Sequence, residues 1–370
     1  KNRSVDDFFY GGKSASYGGV TTIVDFLDPA RNAQELEKLY YERMSVAKKC
    51  PIDYHLHAAI KNPDGNLEEF VRKMQSLGMS TLKLFTTYSD TGRRTYDKDI
   101  IELLKLSEKY HFMILSHTEN DDLIVTNDTF KYRDITISRP SDAETSEALK
   151  LASYVRKYGG HLYMVHVSTG NTLEALKKDY GDILNKKFFL ESCPQYFLLD
   201  RSSLDRADGY LYTFAPPLRS LKEQRLMIDN FNLIHTIGTD HCAFNRADKQ
   251  KELLKGMPLG IGGIESSFQT LNRLFGDQII DKMTINVAST DGLQGKGALK
   301  EGNDADLFLY KRNSGARVIK PHGISDYSVY EGYPASGEVI STMVRGHFVL
   351  KDKVFIAGEG KLVAQKEKLW

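Results

Sequence analysis

The stretch TLKLFTTYSDTGRRTYDKDIIELLKLSEKYHFMILSH, from Thr81 to His117, decides the fold. Two short apolar runs, Thr81–Phe85 and Met113–His117, flank a longer amphipathic segment, Asp97–Tyr110. In that segment apolar residues recur at spacings of three and four, which predicts a helix with one apolar face. The stretch is therefore a strand, a helix and a strand, which is the repeating unit of a parallel sheet covered by helices.

The same alternation continues on both sides of this unit. The predicted strands are Thr21–Phe26, Tyr54–Ile60, Thr81–Phe85, Met113–His117, Leu162–Val167, Phe188–Ser192 and Ile234–Thr239. The predicted helices are Ala33–Lys49, Leu67–Leu77, Asp97–Tyr110, Asp142–Tyr158, Thr172–Lys178 and Leu221–Phe231. Seven such units predict an α/β fold, a (β/α)8 TIM-like barrel that lacks its first strand. A doubly wound sheet is the rival, but no glycine-rich phosphate loop follows the first strand.

The sequence changes in character after about Gly295. Short strand-like runs, separated by glycine and charged turns, replace the alternation of strands and helices; they are Asp306–Tyr310, Val339–Val344, His347–Leu350 and Lys353–Ile356. We therefore expect residues 1–294 to form the barrel and residues 295–370 to form part of a small β-sandwich subdomain.

Composition excludes several classes of protein. The formal net charge of the 370 residues is +1 with 27% charged residues, so no surface for nucleic acid or membrane is expected. Three scattered cysteines make no disulfide framework, which favours a reducing cytoplasm. There is no apolar run long enough to span a membrane and no secretory signal pattern.

Four polar residues follow or interrupt apolar strands where a core would not place them. Lys83 lies inside one strand, while His117, His166 and Asp240 come at the ends of three others. The carboxyl ends of barrel strands meet at one face, so these side chains are expected to converge as a metal or catalytic site. A free ammonium buried at Lys83 would be costly unless it is paired or chemically changed. Individually, each has a structural alternative, such as helix capping by Asp240.

The segment Asp53-Tyr-His-Leu-His57 suggests a second metal motif. Two histidines one residue apart on a strand face the same way, so His55 and His57 form a candidate ligand pair. Their identity as ligands depends on where the rest of the site lies.

Taken together, ordered motifs over nearly the whole chain resemble the cyclic amidohydrolases, most of all the dihydropyrimidinases and hydantoinases, with allantoinases and dihydroorotases as relatives. The motifs are Gly18–Phe26, Leu82–Phe85, Ser116–Asn120, Ser138–Pro140, Val165–Thr169, Glu191–Tyr196, Pro216–Arg219, Gly238–Cys242 and Gly302–Asp306. The resemblance implies an amidohydrolase-type barrel with a β-sandwich subdomain.

The resemblance also implies a dinuclear metal site. Lys83 would be carbamylated by CO₂ and bridge two divalent metal ions, for which zinc is the default. His117 and His166 would bind the more exposed ion and Asp240 the more buried one. The family's own H-x-H pair lies upstream of its Gly-Gly-Thr-Thr motif, which is Gly18–Thr22 here.

His55 and His57 come one strand later than that pair, so they resemble structural residues of the second strand. We therefore expect the H-x-H pair and the first half of the sandwich to precede Lys1 in the intact protein. The alternative is a metal-poor, non-catalytic scaffold, but relatives of that kind tend to lose Lys83, His117, His166 and Asp240.

Three further residues bear on the substrate. Tyr88 lies five residues after Lys83, where dihydropyrimidinases and hydantoinases place a tyrosine that hydrogen-bonds the oxyanion; an exposed loop tyrosine is the alternative. Ala215 and Leu259 occupy substrate-loop positions where serine and asparagine are common, so substrate identity stays open. Arg139, which precedes a helix with Asp142 and Glu144 in its first turn, is interpreted as structural.

The implied reaction is ring opening of a dihydropyrimidine or hydantoin by a metal-bridged hydroxide, or the related allantoinase or dihydroorotase reaction. Tyr88 would stabilise the oxyanion, and Asp240 would carry the proton to the leaving nitrogen. The expected partners are a small cyclic amide and further copies of the chain in a dimer or tetramer, and the expected location is cytoplasmic.

Overall fold

The computed structural model describes residues 3–370, so the first two residues of the predicted barrel domain lie outside it. One parallel sheet contains seven strands in chain order. They are β1 (Thr22–Phe26), β2 (Asp53–Ala59), β3 (Thr81–Phe85), β4 (Met113–His117), β5 (His161–Met164), β6 (Phe188–Ser192) and β7 (Thr236–Ile237). The predicted barrel of successive strand–helix units is therefore confirmed.

Helices connect the strands and cover the outside of the sheet. They are α1 (Phe8–Tyr17), α2 (Ala33–Ala47), α3 (Leu67–Ser76), α4 (Asp97–Tyr110), α5 (Ile135–Ser138), α6 (Ser141–Tyr158), α7 (Gly170–Tyr180), α8 (Pro194–Leu198), α9 (Leu221–Asp229), α10 (Arg246–Lys249), α11 (Ser267–Phe275), α12 (Ile279–Met283) and α13 (Ile285–Thr290). The predicted β3, α4 and β4 agree with the structure residue for residue.

Several elements differ from prediction. The strand predicted at Leu162–Val167 ends at Met164, and the one predicted at Ile234–Thr239 shrinks to two residues. The first of these strands ends early because His166 adopts a left-handed backbone conformation, with φ of 45°, that a strand does not accommodate. Asp240, which follows the second, is also left-handed, with φ of 44°.

The two faces of the sheet bury different residues. Leu82, Leu84 and Ile114 belong to the large core between the sheet and the helices. Met113, Leu115, Tyr163 and Val165 form a separate cluster inside the barrel. Because side chains alternate along a strand, the even and odd positions divide between these two cores. Lys83 and His117 are at odd-numbered positions of their strands, so their side chains face the inside of the barrel.

The sheet is open within the described chain, since its ladder ends at β1 and β7. The C-terminal segment closes the floor of the barrel at the amino ends of the strands. Tyr54 N donates to Lys361 O at 3.0 Å, and Leu369 packs against the inner cluster. The opposite face of the barrel, at the carboxyl ends of the strands, therefore stays free for a functional site.

A second, antiparallel sheet lies after the barrel. It contains β8 (Leu307–Arg312), β9 (Gly337–Val344), β10 (His347–Lys351) and β11 (Val354–Phe355), in the order β11-β10-β9-β8. A buried ion cluster anchors it to the barrel floor, where the Lys296 ammonium lies 2.6 to 2.9 Å from Asp53, Asp304 and Asp306. This is the small β-rich unit that the sequence predicted.

None of the helices in residues 3–370 combines the length and the apolar character that crossing a membrane requires.

Candidate active site

The four predicted metal-binding residues lie at the carboxyl face of the barrel. Lys83 is on β3 and His117 ends β4, while His166 and Asp240 follow β5 and β7 by two and three residues. Lys83, His117 and His166 are buried, and Asp240 is exposed at the barrel mouth. The structure thus places all four at the end of the barrel where such sites are built.

Two imidazoles converge at the centre of this face. His117 Nδ1 lies 3.0 Å from His166 Nε2, and both rings are buried. Burial lowers the pKa of both histidines below its ordinary value, so both rings are neutral near pH 7. A neutral imidazole can offer one nitrogen lone pair to a metal ion, so two neutral rings whose nitrogens meet at one point are suitable metal ligands.

A carboxylate fixes the tautomer of His117. His117 Nε2 lies 2.6 Å from Glu119 Oε2, and Arg139 Nη1 donates to the same oxygen. Burial alone would raise the pKa of Glu119, but Arg139 and His117 lower it to about 2, so the group is ionised. An ionised oxygen can only accept, so Nε2 carries the proton of His117 and Nδ1 keeps its lone pair. Carboxylate–histidine pairs of this kind hold metal ligands in orientation.

Lys83 is the buried cation of the site. Its ammonium makes no hydrogen bond or salt bridge within the described chain, and it lies 5.4 Å from the centroids of the Phe26 and Phe85 rings. Burial lowers the pKa of Lys83 to about 8, while attraction to Asp240 opposes the fall. A larger fraction of this amine than of an ordinary exposed lysine is therefore neutral, and hence nucleophilic, near neutral pH.

Asp240 lies where the chain leaves β7. The structural alternative of helix capping is wrong, because the next helix, α10, has Asn245 at its N-cap. Although Asp240 has solvent-exposed surface, the density of protein around its carboxyl group raises its pKa, and the Lys83 ammonium opposes that rise. Asp240, His166 and Tyr88 all have positive φ, which is rare for residues other than glycine and typical of functional positions.

Glu191 lies beneath the site on β6. Its Oε2 accepts from Tyr163 Oη at 2.6 Å and its Oε1 from the His166 main-chain N at 3.2 Å. Room for this carboxylate comes from Gly238, where a Cβ would lie 2.6 Å from Glu191. The second contact supports the backbone that presents the His166 ring.

Tyr88 extends over the site from the loop after β3. Its ring centroid lies 5.2 Å from that of His117, and the Arg139 guanidinium lies 4.6 Å from the Tyr88 ring centroid. Burial raises the pKa of Tyr88 to about 12, so its hydroxyl stays protonated and able to donate. The alternative of an exposed loop tyrosine does not fit these contacts.

Ala215 and Leu259 lie on two separate loops, both half-buried. Leu259 packs against the main core, and the neighbouring Ile261 O accepts from Cys242 N at 2.8 Å. The Leu259 loop therefore runs beside the segment that follows Asp240, as a substrate loop would.

His55 and His57 point into the barrel below the site. His55 Nδ1 lies 2.7 Å from Val363 O, and His57 Nδ1 lies 2.7 Å from Thr81 Oγ1. Each ring thus has a protein partner on one nitrogen, and burial lowers the pKa of both. These contacts agree with the structural role given to the pair.

A different acidic group has the spacing of a metal site. In residues 3–370, carboxylate oxygens of Asp53, Asp304 and Asp306 lie within 4.8 Å of one another, close enough to hold a metal ion. The Lys296 ammonium lies among their oxygens, so a cation already neutralises them. We therefore assign this cluster to folding. The converging imidazole nitrogens of His117 and His166, beside a Lys83 amine with no hydrogen-bond or salt-bridge partner in residues 3–370, fit the implied metal centre instead.

Sequence reasoning missed the supports of the site. The sequence predicts a structural role at a helix start for Arg139, whereas the structure places it in contact with both Glu119 and Tyr88. Glu119 follows His117 by two residues in the motif Ser116–Asn120, so a strand-like alternation after β4 was the available signal. Nothing in the local sequence of Arg139 indicated its partners, because they lie on other loops.

Comparison with known proteins agrees with this geometry. A model of the Amidohydrolase family matches residues 4–349. D-phenylhydantoinase of Escherichia coli O81 (strain ED1a) is 29% identical over an alignment of 391 positions that covers 98% of this chain and 84% of that protein.

Solved structures give the same result. D-hydantoinase (dihydropyrimidinase) from Thermus sp. has a TM-score of 0.91 at 27% identity, covering 99% of this chain and 85% of that one. Dihydropyrimidinase from Brevibacillus agri NCHU1002 has a TM-score of 0.90 at 27% identity, covering 99% and 84%. The predicted fold and the predicted relationship to hydantoinases and dihydropyrimidinases are confirmed. The chain is therefore a hydrolase that belongs to the amidohydrolase family.

Proposed function

We propose that the protein hydrolyses a cyclic amide, opening a dihydropyrimidine or hydantoin ring at its carbonyl–nitrogen bond. The observation that carries the proposal is the convergence of His117 Nδ1 and His166 Nε2, 3.0 Å apart, beside a buried and unpaired Lys83. The names of the similar proteins, which include D-phenylhydantoinase and dihydropyrimidinase, support the choice of substrate class.

Lys83 is proposed to react with CO₂. Its neutral amine attacks the carbon of CO₂, a proton leaves the nitrogen, and a carbamate with one negative charge replaces the ammonium. The change would remove the cost of a buried cation and supply two oxygen ligands. Lowering of the pKa of Lys83 by burial favours this step because only the neutral amine is nucleophilic.

His117, His166, Asp240 and the carbamate of Lys83 are proposed to hold two divalent ions, with zinc suited to imidazole and carboxylate ligands. When bound, such a metal pair lowers the pKa of a water molecule and polarises a carbonyl.

The other residues have separate tasks. Tyr88 donates its hydroxyl hydrogen bond to the oxygen of the reacting carbonyl as negative charge develops there. Asp240 takes a proton from the attacking water and delivers it to the ring nitrogen as the carbonyl–nitrogen bond breaks. The elevated pKa of Asp240 suits a group that must both accept and release a proton near neutral pH. Glu119 and Arg139 hold His117 and Tyr88 in place.

Hydrolysis of dihydrouracil and hydantoin by the purified full-length protein, compared with Lys83→Ala, tests the proposal. We expect ring opening by the wild type and none by the variant. Equal activity of the two would exclude the bridging role of Lys83. No activity together with no bound zinc would favour the scaffold alternative.

The proposed assembly is a dimer or tetramer, and the proposed location is the cytoplasm. Sedimentation of the protein would test the first, and fractionation of its host cells would test the second.

A further inference from the structure

Lys249 is a fully buried lysine outside the proposed metal site. Its side chain is 0% exposed, and it ends the short helix α10. No carboxylate forms a salt bridge with it in the chain from residue 3 onward, and burial lowers the pKa of its amine to about 7. A buried lysine without a counter-charge is costly and calls for a compensating role.

The partners of Lys249 are two main-chain carbonyls on different loops. Its Nζ donates to Thr213 O at 2.6 Å and to Gly260 O at 2.7 Å. Thr213 lies two residues before Ala215, and Gly260 follows Leu259 directly. Thr213 and Gly260 are both buried. In the described part of the chain, each of their carbonyls accepts a hydrogen bond from Lys249.

The helix that carries Lys249 lies on the chain segment that follows Asp240. Asn245 N donates to Asp248 Oδ2 at 3.0 Å, which closes the first turn of α10. Five residues upstream of Asn245 lies Asp240. Gly260 contacts the same segment, since a Cβ there would lie 2.7 Å from Cys242 O. One short stretch therefore carries Asp240 at one end and Lys249 at the other.

We propose that Lys249 is a positioning residue that clamps the Ala215 loop to the Leu259 loop and so sets the spacing of the substrate-binding main chain. The proposal rests on the proposed function for the identity of the ligand. The resemblance places Ala215 and Leu259 where serine and asparagine are common in the family, and it implies that such positions contact the ring amide through the main chain. Backbone contacts work only when the loops are held at a fixed separation.

A carbamate or other modification of Lys249 does not fit. Both of its acceptors are carbonyl oxygens, which need N–H donors and would repel an added carboxylate. Even the neutral amine keeps two N–H groups, enough for both carbonyls. The clamp therefore works in either protonation state of the lysine.

Lys249→Met and Lys249→Gln in the full-length protein test the clamp. Methionine leaves both carbonyls unpaired, whereas the glutamine amide can still donate. Lys251→Met is the matched control, because that exposed lysine donates to Gly256 O at 2.7 Å on the same segment. Hydrogen–deuterium exchange of residues 212–217 and 257–261, zinc content and steady-state kinetics are measured for each.

For Lys249→Met we expect exchange of both loops at least about tenfold faster, KM about tenfold higher, and kcat and zinc content close to wild type. The KM of Lys249→Gln should lie between those of Lys249→Met and the wild type, and Lys251→Met should match the wild type in every measurement. Unchanged loop exchange in a folded Lys249→Met protein would overturn the clamp. Faster exchange with loss of kcat alone would also overturn it, since that marks a merely structural residue. If the wild-type protein opened no cyclic amide, the proposed function would be wrong. The exchange rates of the two loops would then still test whether Lys249 clamps them.

Discussion

Replacing Glu119 by glutamine should weaken zinc binding without removing a single proposed ligand. Glu119 is 0% exposed, accepts from His117 Nε2 at 2.6 Å and pairs with the buried Arg139. The neutral amide no longer forces the proton onto Nε2, so His117 can adopt the tautomer whose Nδ1 lone pair is lost. Removal of such a supporting carboxylate typically costs about 10- to 100-fold in metal affinity.

The same change leaves Arg139 buried without its charged partner. Breaking a buried ion pair costs about 3–5 kcal/mol, and because the glutamine amide keeps one acceptor oxygen, we expect a loss of about 3 kcal/mol. For a chain of this length that corresponds to a melting temperature lower by about 4 °C. Calorimetry and titration of zinc against a competing chelator measure the two effects separately.

Glu147→Gln is the control for Glu119→Gln. Glu147 is a buried carboxylate on α6 whose partner is Lys150, at 2.9 Å, on the outside of the barrel. Its loss should lower stability less, since burial raises the pKa of Glu147 to about 7 and part of it is already neutral. Zinc affinity should not change. If Glu119→Gln bound zinc as tightly as the Glu147→Gln control, the tautomer argument would be wrong.

Two other predictions concern catalysis and stability. Tyr88→Phe should lower kcat on the order of a hundredfold while zinc content stays at the wild-type value, and an unchanged kcat would contradict the oxyanion role. Asp291 is buried with an unpartnered Oδ1, and burial raises its pKa from 3.8 to about 8. Because the unfolded chain then releases this proton at lower pH than the folded chain, the free energy of unfolding should fall as pH rises from about 4 to about 8. Urea melts across this range should show a shallower fall for Asp291→Asn, and an identical slope would refute the assignment.

The sequence predicted the barrel well where strands and helices alternate without interruption. β3, α4 and β4 agree in every boundary because their apolar periodicity is strong and their neighbours are regular. Helix α1 lacked that signal, since Gly11 and Gly12 interrupt it. It forms because Asp7 caps it and because Gly12 comes close to Pro51, where a Cβ would lie 2.5 Å from the ring. Tertiary contact of this kind cannot be inferred from local pattern.

The candidate site was predictable only as far as it follows strand ends. Lys83, His117, His166 and Asp240 were found because parallel strands bring their carboxyl ends together. Glu119, Arg139 and Lys249 act through partners on other loops, at sequence separations that no periodicity encodes. Their roles became visible only when burial and hydrogen-bond partners were known.

The central claim is that the Lys83 amine becomes a carbamate that holds a metal pair beside two imidazoles. The most direct measurement supplies ¹³C-bicarbonate to the full-length protein, records the ¹³C carbamate resonance, and counts zinc per chain in the same sample. A carbamate signal that disappears in Lys83→Ala, with about two zinc ions per wild-type chain, is the predicted result. An unmodified Lys83 in a protein that binds no zinc would contradict it.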